Sequence, residues 1–266
     1  MEINHLKKFY QFIRIGRILK IEYTYFALLL LFISSPSFAQ RKGGKAIYSI
    51  TIQSDSILKK TLRPQIRDRY ERAEKEIANL FLELVFDDTL SVFKNYQNKN
   101  ISDVTEFALK LADCEKIIYT NLNNNEIIFN NAEKKAIFKK NEFLIQKKIE
   151  NNWTFVNESK YIQNFKCYKA TQQISIVNDE GTFFKTITAW YCPEIPFTFG
   201  PKGYCDLPGL IVELQDRNIV FGLKEISFFD KSIKIELPTK GVKVEYNEYL
   251  QILKERVMKR MELTEK

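Results

Sequence analysis

The chain has 266 residues, with 41 Lys and Arg against 33 Asp and Glu, a formal net charge of +8 and a single histidine, His5. Beyond that N-terminal residue there is no imidazole for general-base work or metal binding, so Ser-His-Asp, Cys-His and His-zinc chemistries are excluded there. The charges are mixed in sign, as in "RDRYERAEKE" (Arg67–Glu76) and "KERVMKRMELTEK" (Lys254–Lys266). That is the pattern of solvated helix faces, and it gives no one-sided surface for nucleic acid.

The first forty residues read as a targeting segment. Lys7, Lys8, Arg14, Arg17 and Lys20 lead into the apolar run "YFALLLLFI" (Tyr25–Ile33), which ends in "SSPSFAQ" with Ser37 and Ala39. A bilayer-spanning helix needs roughly 20 apolar residues, and this run is much shorter. Residues 1–39 are therefore expected to be a signal peptide cleaved between Ala39 and Gln40, leaving a single domain over 40–266 that does not span the membrane. No cysteine stands at the cleavage site, so a lipid-anchored N-terminus is not expected.

"KAIYSITIQS" alternates Ala46, Tyr48, Ile50 and Ile52 with polar residues and predicts a strand. Ile66, Tyr70, Ala73 and Ile77 recur at helical spacing behind Pro64, predicting a helix over 64–77. "LFLELVF" (Leu80–Phe86) and "LSVFKNY" form a hairpin across "DDT". Ser102 caps a short helix to Asp113. Strands then follow closely: "EKIIYTNL" with "NEIIFNN", "KAIFKK" with "FLIQKKI", and "WTFVNE". Next, "FKCYKATQQISIV" pairs with "TFFKTITAWYC" across "NDEG", and "LIVELQ" with "IVFGLKEISFF" across "DRN". "SIKIELP" alternates Ile233, Ile235 and Leu237 inward. A C-terminal amphipathic helix carries Tyr246, Leu250, Leu253, Val257 and Met261 as its apolar stripe, expected to dock on the sheet. The fold class is α+β: one large, curved, mainly antiparallel sheet, in the extreme a half-barrel, with a few helices.

The stretch "GPKGYCDLPGLIVEL" (Gly200–Leu214) crowds glycine and proline before a strand. A phosphate-binding P-loop would follow a strand, precede a helix and end in Lys-Ser/Thr. None of this holds, and Pro201 and Pro208 remove donors that a cradle needs. A structural corner fits better. Prolines 193, 196, 201 and 208 hold an extended path, Gly203 and Gly209 can take positive φ, and Leu207, Leu210 and Val212 re-enter the core. The four cysteines, 114, 167, 192 and 205, are even in number and permit disulfides. Cys192 and Cys205 flank the proline-rich stretch and are the expected bridge, worth about 3 kcal/mol in the chain-entropy model; Cys114 with Cys167 would follow. The carboxylates Asp87, Asp88, Asp179 and Glu180 fall in turns, and nothing sets Glu194 across a cleft from another. No catalytic, cofactor-binding or metal-ligating residue is assigned.

"AWYCPEIPFTFGPKGYCDLPGLIVEL" (Ala189–Leu214) resembles the GLPGLI family of exported Bacteroidota-type proteins. The resemblance rests on Ala189-Trp190-Tyr191, Pro193, Ile195, Pro196, Gly200-Pro201 and Leu207-Pro208-Gly209-Leu210-Ile211. Upstream, Trp153, Glu158, Lys160, Ile162, Cys167, Lys169 and Ala170 fit it as well. The first glycine of the family's run is Asp206 here. The resemblance implies a location at the periplasm or outer-membrane periphery, or secretion, and transfers no catalytic residue. The expected role is non-enzymatic, without cofactor: a binding or carrier protein for an apolar ligand or an outer-membrane or periplasmic partner segment. The alternatives are an accessory protein docking to other envelope components and a carboxylate-dependent hydrolase.

Overall fold

The computed structural model describes residues 42–53, 56–96, 102–131, 137–150, 152–178 and 181–264. The leader over 1–39 lies outside them, as do Asp179 and Glu180 of the "NDEG" turn. The strands are β1 (Gly43–Ile52), β2 (Phe81–Phe86), β3 (Leu90–Asn95), β4 (Ile118–Asn121), β5 (Glu126–Asn130), β6 (Phe143–Lys148), β7 (Thr154–Ile162), β8 (Phe165–Asn178), β9 (Gly181–Cys192), β10 (Leu210–Asp216), β11 (Ile219–Phe229) and β12 (Val242–Glu245). They form one open 12-stranded sheet in the order β12-β6-β5-β4-β3-β2-β1-β11-β10-β9-β8-β7. The sheet is mixed: β12 runs parallel to β6, and the other pairings are antiparallel. The helices are α1 (Ser56–Thr61), α2 (Pro64–Ile77), α3 (Asp103–Leu111) and α4 (Tyr246–Thr264).

Local chemistry explains most boundaries. Pro64 opens α2, where its missing N–H costs no intrahelical bond. The Ser102 hydroxyl caps α3 by accepting from the Thr105 N–H at 3.1 Å. In the β2–β3 turn, Asp87 Oδ1 accepts from the N–H groups of Thr89 and Leu90, each at 2.7 Å, an Asx turn that fixes the hairpin. Arg217 takes a left-handed φ of 58° between β10 and β11.

The alternation of β1 and β2 puts Ala46, Tyr48, Ile50, Leu82, Leu84 and Phe86 on one face, all buried. Ala73 and Ile77 of α2 and Ala108 and Leu109 of α3 belong to the same core cluster, together with Ile195, Phe197, Phe199 and Leu207 from the segment between β9 and β10. Each fully buried large side chain contributes about 1.5–3 kcal/mol. A second cluster joins Phe129, Phe143, Ile145 and Val244 to Phe138 and to Tyr249 of α4.

The structure departs from the sequence expectation in three places. "SIKIELP" is not a strand: β11 is already flanked by β1 and β10, so residues 232–238 have no open edge to pair back onto. The edge of β6 is taken instead by β12, entered through the bond from Val242 N–H to the Glu142 carbonyl at 2.9 Å. "KAIFKK" does not pair as a strand over its described residues, 137–140, because β5 and β12 occupy both sides of β6; Phe138 turns into the second core cluster. On α4 the packed positions are Tyr246, Tyr249, Ile252 and Leu253, while Leu250 and Met261 of the expected stripe are exposed.

Candidate functional site

The segment from Cys192 to Leu210 is a tightly bonded corner. The N–H groups of Leu210 and Ile211 bond the carbonyls of Ile195 and Phe199 at 3.0 and 2.9 Å, and Asp206 N–H bonds the Thr198 carbonyl at 2.8 Å. Ile195, Leu207, Leu210 and Ile211 are buried, as are Gly200, Pro201 and Gly209, while Pro193, Pro196 and Pro208 face solvent. Phe197 and Phe199 pack against Phe86 as tilted ring pairs at centroid distances of 4.8 and 6.3 Å. The buried Tyr48 hydroxyl donates to the Ile211 carbonyl at 2.7 Å, next to the bulge in the β9–β10 register. Trp153 Nε1 donates to the Cys205 carbonyl at 2.9 Å.

The glycines behave as expected of a corner. Gly203 and Gly209 have φ of 80° and 141°. A Cβ on Gly209 would stand 2.1 Å from the Cys192 carbonyl oxygen, so no side chain fits. Asp206 also takes a left-handed φ, 69°, which Asp tolerates better than most residues.

Cys192 and Cys205 are not bridged, and neither are Cys114 and Cys167; all four are buried free thiols. Cys192 lies opposite Leu210 on the strand, whereas Cys205 lies opposite Phe199 across the corner. Hydrogen bonds and packing, not a Cys192–Cys205 disulfide, close the loop. Burial pushes the Cys167 and Cys205 thiols up to about 11 and about 12, leaving little thiolate for nucleophilic work at neutral pH.

Beneath the corner lies a charge network that the sequence reading missed. Lys202, also in a left-handed conformation (φ 58°), reaches inward until its side chain is 7% exposed. Its Nζ is 3.0 Å from Oδ2 of Asp216, itself 2% exposed, and 2.9 Å from Oδ2 of Asp113. Lys185 Nζ donates to both Asp216 oxygens at 2.9 and 3.0 Å. Burial alone would lower the Lys202 pKa, but the Asp113 and Asp216 charges more than offset it and raise it above the ordinary lysine value. For Asp216, burial acts upward, and Lys202 and Lys185 together hold the carboxyl below its usual range. An ammonium held protonated is neither base nor Schiff-base nucleophile, and a carboxylate held ionised is not a general acid. Of the turn carboxylates, Asp87 serves its hairpin, and Glu194 is exposed, accepting from Lys166 N–H at 3.4 Å.

Two surfaces of the β7–β9 flange remain. On one, half-buried Trp190 has Lys160 Nζ 4.3 Å and Lys169 Nζ 5.9 Å from its ring centroid. Glu213 pairs Lys160 at 2.7 Å and Glu158 pairs Lys169 at 3.0 Å, so both ammonium groups already have partners. On the other, the register aligns Phe155 with Ala170 and Ala189, and Tyr168 with Tyr191 and Ser159. Strand alternation adds Tyr161, Ile176 and Phe183 to that same face. Phe155, Tyr161 and Phe183 are 61%, 72% and 48% exposed. Phe155 and Tyr168 each sit 6.1 Å, centroid to centroid, from the Tyr191 ring. Along α4, a hollow of about 540 Å³ is lined by Leu250, Leu253, Lys254, Val257, Met258 and Met261.

A family model described as a protein of unknown function (Porph_ging) matches residues 178–213, which run from the end of β8 through β9 and the corner into β10. No curated protein matches the chain. Two structures of PNGF-II, in the P21 and C2 space groups, align with 81% of this chain at 12% and 11% identity and a TM-score of 0.47. The chain spans 34% and 33% of the length of those chains. A likeness of that size carries nothing about chemistry.

Proposed function

We propose that this is an exported, non-enzymatic binding protein of the GLPGLI type, acting at the periplasm or outer-membrane periphery, whose working surface is the apolar face of β7–β9. The observation that carries the reading is two groups of exposed aromatic and aliphatic side chains on that single face, Phe155, Tyr161 and Tyr168 toward the corner and Ile176 with Phe183 toward the hairpin tip, with buried Gln172 and Ile187 between them. An exposed apolar patch on an otherwise charged protein marks an interaction site. In this reading the sheet curls, half-barrel fashion, around its packed helices. The corner residues Phe197, Phe199 and Leu207 fill the space beside Phe86 and Tyr48 that a lipid-type ligand would otherwise take. The open part of that face then suits an extended partner segment bearing apolar side chains, better than an enclosed small ligand. The signal-peptide pattern of residues 1–39 and the family match over 178–213 support the location and the kinship. The ion pairs of buried Asp216 with Lys202 and Lys185 support a bracing role for the corner.

The test is a comparative pull-down from the native envelope, using the wild type and the double variant Phe155→Ser, Phe183→Ser, with bound lipid and protein identified together. The reading expects a defined protein partner on the wild type and its loss on a variant of unchanged melting temperature. Recovery of lipid alone would replace it with the carrier reading, and equal capture by both proteins would reject the assigned face.

A further inference from the structure

The β8–β9 register pairs Tyr168 with Tyr191 as its last step toward the corner. Continued by one residue beyond this last pair, the register would set Cys167 opposite Cys192. Cys167 also faces Lys160 on β7, and Cys192 faces Leu210 on β10, so both cysteines sit inside the paired sheet. Neither exposes any surface. In the reduced protein the Cys167 Sγ donates to the Phe165 carbonyl at 3.3 Å. Directly opposed residues on antiparallel strands have Cα atoms about 4.5–5.5 Å apart, inside the 4.4–6.8 Å span that a disulfide accepts. Cys205 and Cys114 have no such facing cysteine in the register.

We propose that Cys167 and Cys192 are a cross-strand dithiol that closes to a disulfide, stapling β8 to β9 at the base of the β7–β9 flange. The oxidant is an external disulfide, either a small-molecule thiol disulfide or an exchange protein. One cysteine, as thiolate, attacks a sulfur of that disulfide and releases its first thiolate. The second cysteine, as thiolate, attacks the mixed disulfide, forms the Cys167–Cys192 S–S bond and releases the other. Two electrons and two protons leave the protein pair, and the external disulfide ends as two thiols. Burial in the finished sheet pushes both thiols above their ordinary value, so the exchange belongs to the chain before that burial is complete. Because the folded sheet hides both sulfurs, closure belongs to folding, before β7 and β10 cover the pair. The bond tethers a hairpin of roughly two dozen residues and fixes the entry of the corner, since Pro193 follows Cys192 directly.

The experiment is refolding of the full chain from a reduced, denatured state with oxidised glutathione, followed by alkylation in denaturant and non-reducing peptide mapping. The expected result is a Cys167–Cys192 linked peptide pair, with Cys114 and Cys205 alkylated. Melting temperature should rise by about 5–10 °C over the reduced protein. Cys205→Ala should retain both effects, and Cys192→Ala should lose both. If Cys192→Ala does not fold, the wild-type peptide map decides by itself. Four alkylated cysteines after oxidative refolding, or a link between any other pair, overturns the proposal.

Discussion

Replacing Lys202 by Met probes the charge network under the corner. Lys202 Nζ bonds Asp216 Oδ2 at 3.0 Å and Asp113 Oδ2 at 2.9 Å, within a side chain that is 7% exposed. Removing one partner of a buried ion pair costs about 3–5 kcal/mol when the other charge is stranded. Here Asp216 is not stranded, because Lys185 still donates to both its oxygens. Asp113 is half-exposed and returns to water at little cost. Met also keeps most of the aliphatic stem beside Phe221. The net loss is therefore about 2 kcal/mol at pH 7, a fall in melting temperature of about 4–8 °C for a domain of this size. Its pH dependence has a definite sign. The folded-state pKa of Asp216 is depressed, so its stabilising contribution is present above the unfolded carboxylate value and is lost as pH falls through the folded one. The difference between wild type and Lys202→Met should be full at pH 7 and shrink steadily below about pH 4. Calorimetric or circular-dichroism melts of both proteins at several pH values measure it. Equal melting temperatures at pH 7, or a difference that does not change with pH, would refute the reasoning.

Other substitutions test the corner itself. Tyr48→Phe leaves the buried Ile211 carbonyl without its 2.7 Å donor and should cost about 1–3 kcal/mol in chemical denaturation, with an unchanged m-value. Gly209→Ala places a Cβ 2.1 Å from the Cys192 carbonyl oxygen at a φ of 141°, and should lower stability by more than about 3 kcal/mol or abolish soluble expression. Asp206→Gly places glycine at a φ of 69° and should be neutral or stabilising by up to about 1 kcal/mol, read from the denaturation midpoint.

What was legible in the sequence was mostly local. The "DDT" and "DRN" turns, the Ser102 cap and Pro64 at the first turn of α2 each act within a few residues. The structure places those hairpins and helices where the sequence pattern did. The corner was legible for the same reason, since prolines, glycines at positive φ and re-entering leucines are short-range signals. What stayed hidden depends on distant partners. Nothing near Lys202 points to Asp216, which read only as part of a hairpin turn, nor to Asp113 at the end of α3. "SIKIELP" has a strand's alternation, yet β1 and β10 already occupy both edges of β11. The cysteines were paired by their position around the prolines, whereas the β8–β9 register, continued one residue past Tyr168–Tyr191, would bring Cys167, not Cys205, opposite Cys192. Alternation reports which face a residue takes, and it carries no information about which strand lies beside it.

The most direct test of the proposed binding surface is site-specific photocrosslinking in the native envelope. A photoreactive phenylalanine analogue would replace Phe183, on the apolar face of β9, or Thr186, whose side chain alternation points the other way. One discrete protein adduct is expected from position 183 and none from position 186. No adduct at 183, or the same adduct from both positions, would contradict the proposed surface.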